Sequence, residues 1–141
     1  MLGLLALTFA AIFFGAAIYL TVAEHPARQS LDVEQTLAEW KPSYKRGVAM
    51  QASIAMVSGL LGVAAWWGDR NPLWLLGATA ILANWPFTLV ILMPVNHRLE
   101  ATMPGTASAE TRELLIRWGR LHAVRSALGG LATALFVLAA A

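Results

Sequence analysis

Leu73-Trp74-Leu75-Leu76-Gly77-Ala78-Thr79-Ala80-Ile81-Leu82-Ala83-Asn84-Trp85-Pro86-Phe87-Thr88-Leu89-Val90-Ile91-Leu92-Met93-Pro94-Val95 runs for 23 residues without a formal charge. About 20 predominantly apolar residues suffice to carry a helix across a hydrocarbon core of about 30 Å. Working outward, Leu2–Ala23, Gly47–Trp67 and Leu121–Ala141 are stretches of similar length and character. Four spans in 141 residues leave no room for a separate soluble domain. Residues 1–141 therefore read as a single all-α domain, an integral membrane four-helix bundle. The 58% hydrophobic and 13% charged composition and a mean hydropathy of +0.62 exclude a disordered chain.

The charges supply the topology. Arg28, Lys41, Lys45 and Arg46 lie in the connection after the first span, and Arg98, Arg112, Arg117 and Arg120 in the one after the third, with Arg125 just inside the fourth span. Only Arg70 lies in the second connection. The positive-inside bias predicts a multi-pass protein of the cell membrane, with the two long basic connections cytoplasmic and both termini on the opposite side. It also explains the net charge of +2 without a nucleic-acid partner, leaving membrane lipid as the first expected partner. With no cysteine in the chain, disulfides, thiolate metal ligands and thiol catalysis are excluded. Residues 1–23 lack the basic start of a signal peptide and exceed its usual apolar length, so a retained helix is expected.

Between the spans, Gly68-Asp69-Arg70-Asn71-Pro72 reads as a tight turn between helices. In the first connection, roughly Glu24–Arg46, Leu31–Trp40 predicts a short interfacial helix capped near Ser30, with Trp40 and Tyr44 at headgroup level. In the third, His97–Arg120, a loop at Met103-Pro104-Gly105-Thr106 precedes a helix that begins at Ser108-Ala109-Glu110-Thr111 and continues into the fourth span.

Polar residues inside the spans are the candidate site. On the second span Gly47, Gln51, Ala55, Ser58 and Gly62 recur at helical spacing. Such a stripe serves close helix packing, although Gln51 is a large amide for that purpose. Pro86 removes one helix hydrogen bond and crowds the preceding turn, so a kink is expected beside Asn84 and Thr88. Those two residues share a face, either as interhelical contacts or as polar groups of a ligand cavity. Trp118, His122 and Arg125 share a face of the fourth span. Arg125 either extends to the headgroups or turns inward to an acid, a carbonyl or a bound anion.

The segments Asn84-Trp85-Pro86-Phe87-Thr88, Pro94-Val95-Asn96 and Trp118-Gly119-Arg120-Leu121-His122-Ala123-Val124-Arg125 together resemble the anthrone oxygenase-like membrane family over essentially the whole chain. The resemblance implies a four-helix membrane bundle, some of whose members use dioxygen to oxidise a polyketide anthrone to an anthraquinone without an organic cofactor. On the residues themselves, such chemistry needs a base, donors for a developing oxyanion and a dry apolar pocket. His122 is the first candidate base and His25, beside Glu24, the alternative; Arg125 and Asn96 are candidate oxyanion donors. Asn84, Thr88, Gln51, Trp85 and Trp118 are candidate contacts to a hydrophobic small molecule, with Phe87 a further aromatic wall. No cofactor is expected, although Glu24, His25, His97 and His122 form an alternative set of zinc, copper or iron ligands. The non-enzymatic alternative is a small accessory subunit whose small-residue stripes bind a partner membrane subunit or a second copy of the chain.

Overall fold

The computed structural model describes residues 1–141 and contains helices and turns only. The four helices are Leu2–Gln29, Val33–Asp69, Pro72–Ala101 and Ala109–Ala140, each long and apolar enough to cross a bilayer. They form an antiparallel four-helix membrane bundle. The first helix packs on the second and fourth, and the third packs on the same two, so each helix lies against its neighbours around a ring.

Small residues set this close packing. Ala6, Ala10, Ala55, Ala78, Ala80 and Ala132 are buried where helices meet. The Phe136 ring lies against the bare backbone of Gly62 and Gly77, and the Phe13 ring against Gly129, positions at which an added Cβ would collide. Lipid offers no hydrophobic drive for helix association, so such interdigitation supplies the attraction. Ser58 fits this role, donating from Oγ to the Ala6 carbonyl at 2.8 Å.

The tight turn holds. Arg70 adopts a left-handed conformation with φ of 59°, and the Asn71 side chain accepts from the Leu73 N–H. The helix start at Ser108 holds as well, with the Ser108 N–H donating to the Thr111 hydroxyl at 3.1 Å.

The first connection differs from expectation. Leu31–Trp40 is no separate interfacial helix, because the second helix starts at Val33 and runs unbroken through Pro42 into the membrane stretch. Its cap is Asp32, which accepts from the Gln35 N–H, rather than Ser30. Trp40 is wholly buried within the bundle, stacked on Tyr44 and edge-on to Trp118. The reason is that the second, third and fourth helices overrun their apolar stretches at this end and build a core of their own from Leu37, Trp40, Leu92, Leu99, Leu115 and Trp118, with Leu20 of the first helix packed against it. Basic residues hold that end together. Arg112 donates to the carbonyls of Gln29 and Leu31, Lys41 to that of Thr102, and Glu34 accepts from the N–H groups of Gly105 and Ala107.

Two helices leave regular α geometry beside the polar residues. The third is interrupted at Ala83, where the Asn84 amide donates to the Ile81 carbonyl at 3.0 Å, and then widens into a π-helical turn over Thr88–Leu92. The first has a π-helical turn at Leu20–Glu24. π-turns inside α-helices occur frequently at functional sites.

Candidate functional site

A cavity of about 270 Å³ lies between the second and third helices and reaches Arg125 of the fourth. Its inner wall is Ala55, Asn84, Thr88 and Arg125, all buried, and its outer rim includes Ala49, Trp85 and Leu89, all exposed. The side that faces lipid is therefore apolar, and the polarity is concentrated at the inner end. Asn84 is 2% exposed, and its Oδ1 has no hydrogen-bond partner. Arg125 is 5% exposed and turns inward; it makes no hydrogen bond within the chain, its Nε is buried and unpartnered, and its guanidinium carbon lies 5.7 Å from the Phe13 ring centre.

Arg125, Thr88 and Val48 also line a second, much smaller chamber of about 20 Å³, together with His122, Gln51, Tyr44 and Trp118. That volume suits one water molecule. Gln51 is buried, and its Oε1 is unpartnered. His122 is 1% exposed; its Nδ1 lies 3.2 Å from Thr21 Oγ1, and its Nε2 makes no hydrogen bond within the chain. One imidazole nitrogen is thus anchored to the first helix, and the ring borders the chamber that adjoins Arg125. The face that His122 and Arg125 share on the fourth helix accounts for their convergence.

Other expected site residues stand behind this lining. Asn96 is wholly buried and accepts from Trp118 Nε1 at 2.9 Å. The Trp118 ring stacks on His122 with centroids 5.1 Å apart, so Asn96 fixes the aromatic support of the histidine. His25 also lies against Trp118, with ring centroids 5.1 Å apart, and over the bare backbone of Gly119. Its Nε2 donates to the Leu115 carbonyl at 3.1 Å and its Nδ1 is buried, so neither nitrogen reaches the cavity. Phe87 packs partly buried on the Trp40–Trp118 core.

Glu24 does not meet Arg125. It pairs with buried Arg28, which also pairs with Glu39 and donates to Ser43 Oγ, while Ser43 Oγ donates to Glu24 at 2.9 Å. A carboxylate with a guanidinium one helical turn away on the same helix is satisfied locally. The alternative ligand set of Glu24, His25, His97 and His122 is likewise not assembled: His97 is on the exposed face of the third helix, and no three His, Asp or Glu side chains converge on one point.

Three participants had little or no sequence signal. Ser126 could have been found, since it lies one turn beyond His122 on the same face. Thr21 comes from a different helix, and its ordinary expectation is a hydroxyl bonded to its own backbone. Arg28 reads as one more positive-inside residue, although it is 3% exposed.

Fold and site define a helical membrane protein with a cavity whose inner end carries an unpaired arginine, and with a histidine in the small chamber that adjoins it. The anthrone oxygenase family profile matches residues 40–135, taking in the cavity, Asn96, His122 and Arg125, and the chain belongs to that family. Anthrone oxygenase tpcL of Aspergillus fumigatus is 32% identical over 100 residues, which cover 65% of this chain and 62% of that protein. Anthrone oxygenase nsrD of Aspergillus novofumigatus is 32% identical over 104 residues, covering 67% of this chain and 64% of that protein. The chain thus spans less than two thirds of the length of these relatives. No solved structure matches it.

Proposed function

We propose that this protein oxidises an anthrone-type carbon acid with dioxygen inside the bilayer, using His122 as base and Arg125 as oxyanion donor and no organic cofactor. The observation that carries this reading is the unpaired Arg125 at the inner end of a mostly apolar cavity, beside Asn84 and Thr88. A charge left without an acceptor in the membrane costs about 2.5–3.5 kcal/mol, and a ligand oxygen that acquires negative charge would offset that cost. A bundle packed solid would have favoured the accessory-subunit alternative.

The chemistry balances without a further reductant. His122 Nε2 takes a proton from the substrate methylene, directly or through one water in the small chamber. The resulting anion is delocalised onto the ring ketone oxygen, where Arg125 holds it. The electron pair on carbon joins dioxygen to form a C–O bond, and the peroxide anion takes a proton to become a hydroperoxide. Loss of the second methylene proton with cleavage of the O–O bond leaves a quinone carbonyl and one water. Converting CH₂ to C=O releases four electrons, and reducing dioxygen to one carbonyl oxygen and one water takes up four. The protein's part is to supply a base, an oxyanion site and exclusion of bulk water.

The test is purified protein in lipid nanodiscs with an anthrone and ¹⁸O₂. One labelled atom per quinone and one dioxygen per anthrone are expected. An absence of turnover above the buffer rate across a panel of anthrones would refute the reading. Ala52→Phe, which fills the cavity wall away from the polar end, is expected to raise KM by roughly tenfold, the order lost when a pocket no longer accommodates its ligand. An unchanged KM would place the substrate elsewhere.

The exposed apolar rim supports arrival of the substrate from the lipid. The basic ends support a cytoplasmic position for the Ser30–Asp32 and Thr102–Ser108 connections. Reporter fusions at Ala141 and within Thr106–Ala109 are expected to score on opposite sides, and scoring on the same side would overturn the topology.

A further inference from the structure

We propose that Thr21 is a positioning residue that fixes the tautomer of His122, keeping the proton on Nδ1 and leaving Nε2 bare toward the small chamber. This inference deepens the reading of His122 as base and rests on it for its catalytic meaning. Thr21 lies outside the region that the family profile matches.

The hydroxyl proton and lone pairs of Thr21 decide where the imidazole proton sits. Thr21 Oγ1 has three polar neighbours, the Ala17 carbonyl at 2.9 Å, Ser126 Oγ at 2.8 Å and His122 Nδ1 at 3.2 Å. A hydroxyl donates once and accepts twice. A carbonyl only accepts, so the Thr21 proton goes to Ala17. Ser126 then donates to Thr21, which is nearer than its alternative acceptor, the His122 carbonyl at 3.4 Å. One lone pair of Thr21 remains, and Nδ1–H fills it. The one proton and both lone pairs of Thr21 are then used. In the opposite tautomer Nδ1 and Thr21 would compete as acceptors, and Nε2–H would face the chamber as a donor, unable to take a proton.

The same bond suits the protonated state. Once Nε2 has accepted a proton, Nδ1–H still donates to Thr21, so the ring need not turn during the cycle. This is the logic by which a base is oriented by a third group. The π-helical turn at Leu20–Glu24 sits where Thr21 makes these contacts.

The test is nitrogen NMR of ¹⁵N-histidine-labelled protein in nanodiscs at a pH where imidazole is neutral, with His122 assigned by its loss in His122→Ala. Wild-type protein and Thr21→Ser are expected to show the Nδ1–H tautomer. Thr21→Val is expected to move the signal to Nε2–H, with kcat falling by roughly 10–100-fold and KM little changed, the range typical when a partner that orients an imidazole is removed. Ser126→Ala, which leaves the Thr21 acceptor in place, is expected to keep Nδ1–H. An Nε2–H signal in the wild-type protein overturns the proposal, and so does an unchanged Nδ1–H signal in Thr21→Val. Neither outcome depends on turnover, so a failure of His122 as base is read separately, from the activity of His122→Ala.

Discussion

Replacing His122 by alanine should lower kcat for anthrone oxidation by about 10²–10⁴-fold, the contribution usual for a positioned general base. The measurement is steady-state quinone formation in nanodiscs, alongside deuterium exchange of the substrate methylene under nitrogen. Exchange reads proton abstraction alone, so His122→Ala should lose both reactions. Loss of oxidation with exchange intact would assign His122 to the dioxygen step. Full turnover would remove it from the mechanism. His25→Ala is the informative control, because the structure gives that ring a different task. Its Nε2 is held by the Leu115 carbonyl and its Nδ1 is buried, so substitution should act through the packing of Trp118 and lower thermal stability before it lowers turnover per folded molecule.

The spans were legible in the sequence because hydropathy and length are local properties. The ends of the helices were not. Trp40 and Tyr44 looked like headgroup anchors because their segment is flanked by acids and lysines. The burial of Trp40 and the partial burial of Tyr44 depend on Leu92, Leu99 and Trp118, which arrive from two other helices. The pairing of His122 with Arg125 was legible because both lie on one helix at helical spacing. The separation of Glu24 from Arg125 was legible in part, since Arg28 lies one turn from Glu24 on the same helix; the approach of Glu39 and Ser43 to that pair was not, because it needs the helix ends packed. The proline in the third span pointed correctly to irregular geometry beside Asn84 and Thr88. The π-helical turn at Thr88–Leu92 was invisible, because no residue type specifies it. Thr21 illustrates the same limit: its role is set by a contact across 101 residues of chain.

Arg125→Met should separate stability from activity. Methionine is similarly long, flexible and uncharged, so it can fill the same space beside Phe13 without leaving a buried charge unpaired. Because Arg125 makes no hydrogen bond in the chain, little is lost on its removal, and the desolvation cost disappears. The variant is expected to be more stable than the parent, by about 2.5–3.5 kcal/mol if the full intramembrane cost is recovered. The check is the unfolding midpoint in a mild detergent. Turnover should move the other way, falling by about 10²–10³-fold, as when an oxyanion donor is removed elsewhere. Ligand binding should show the same division, with a quinone product raising the unfolding temperature of the parent but not of Arg125→Met. A less stable variant would mean that the guanidinium has a structural acceptor, such as a lipid phosphate. A more stable variant that keeps full turnover would mean that the oxyanion is held elsewhere, with Asn84 the next group to test. The expected combination, a firmer bundle with a silent site, is the trade-off that arises where a fold carries an uncompensated charge for the sake of its ligand.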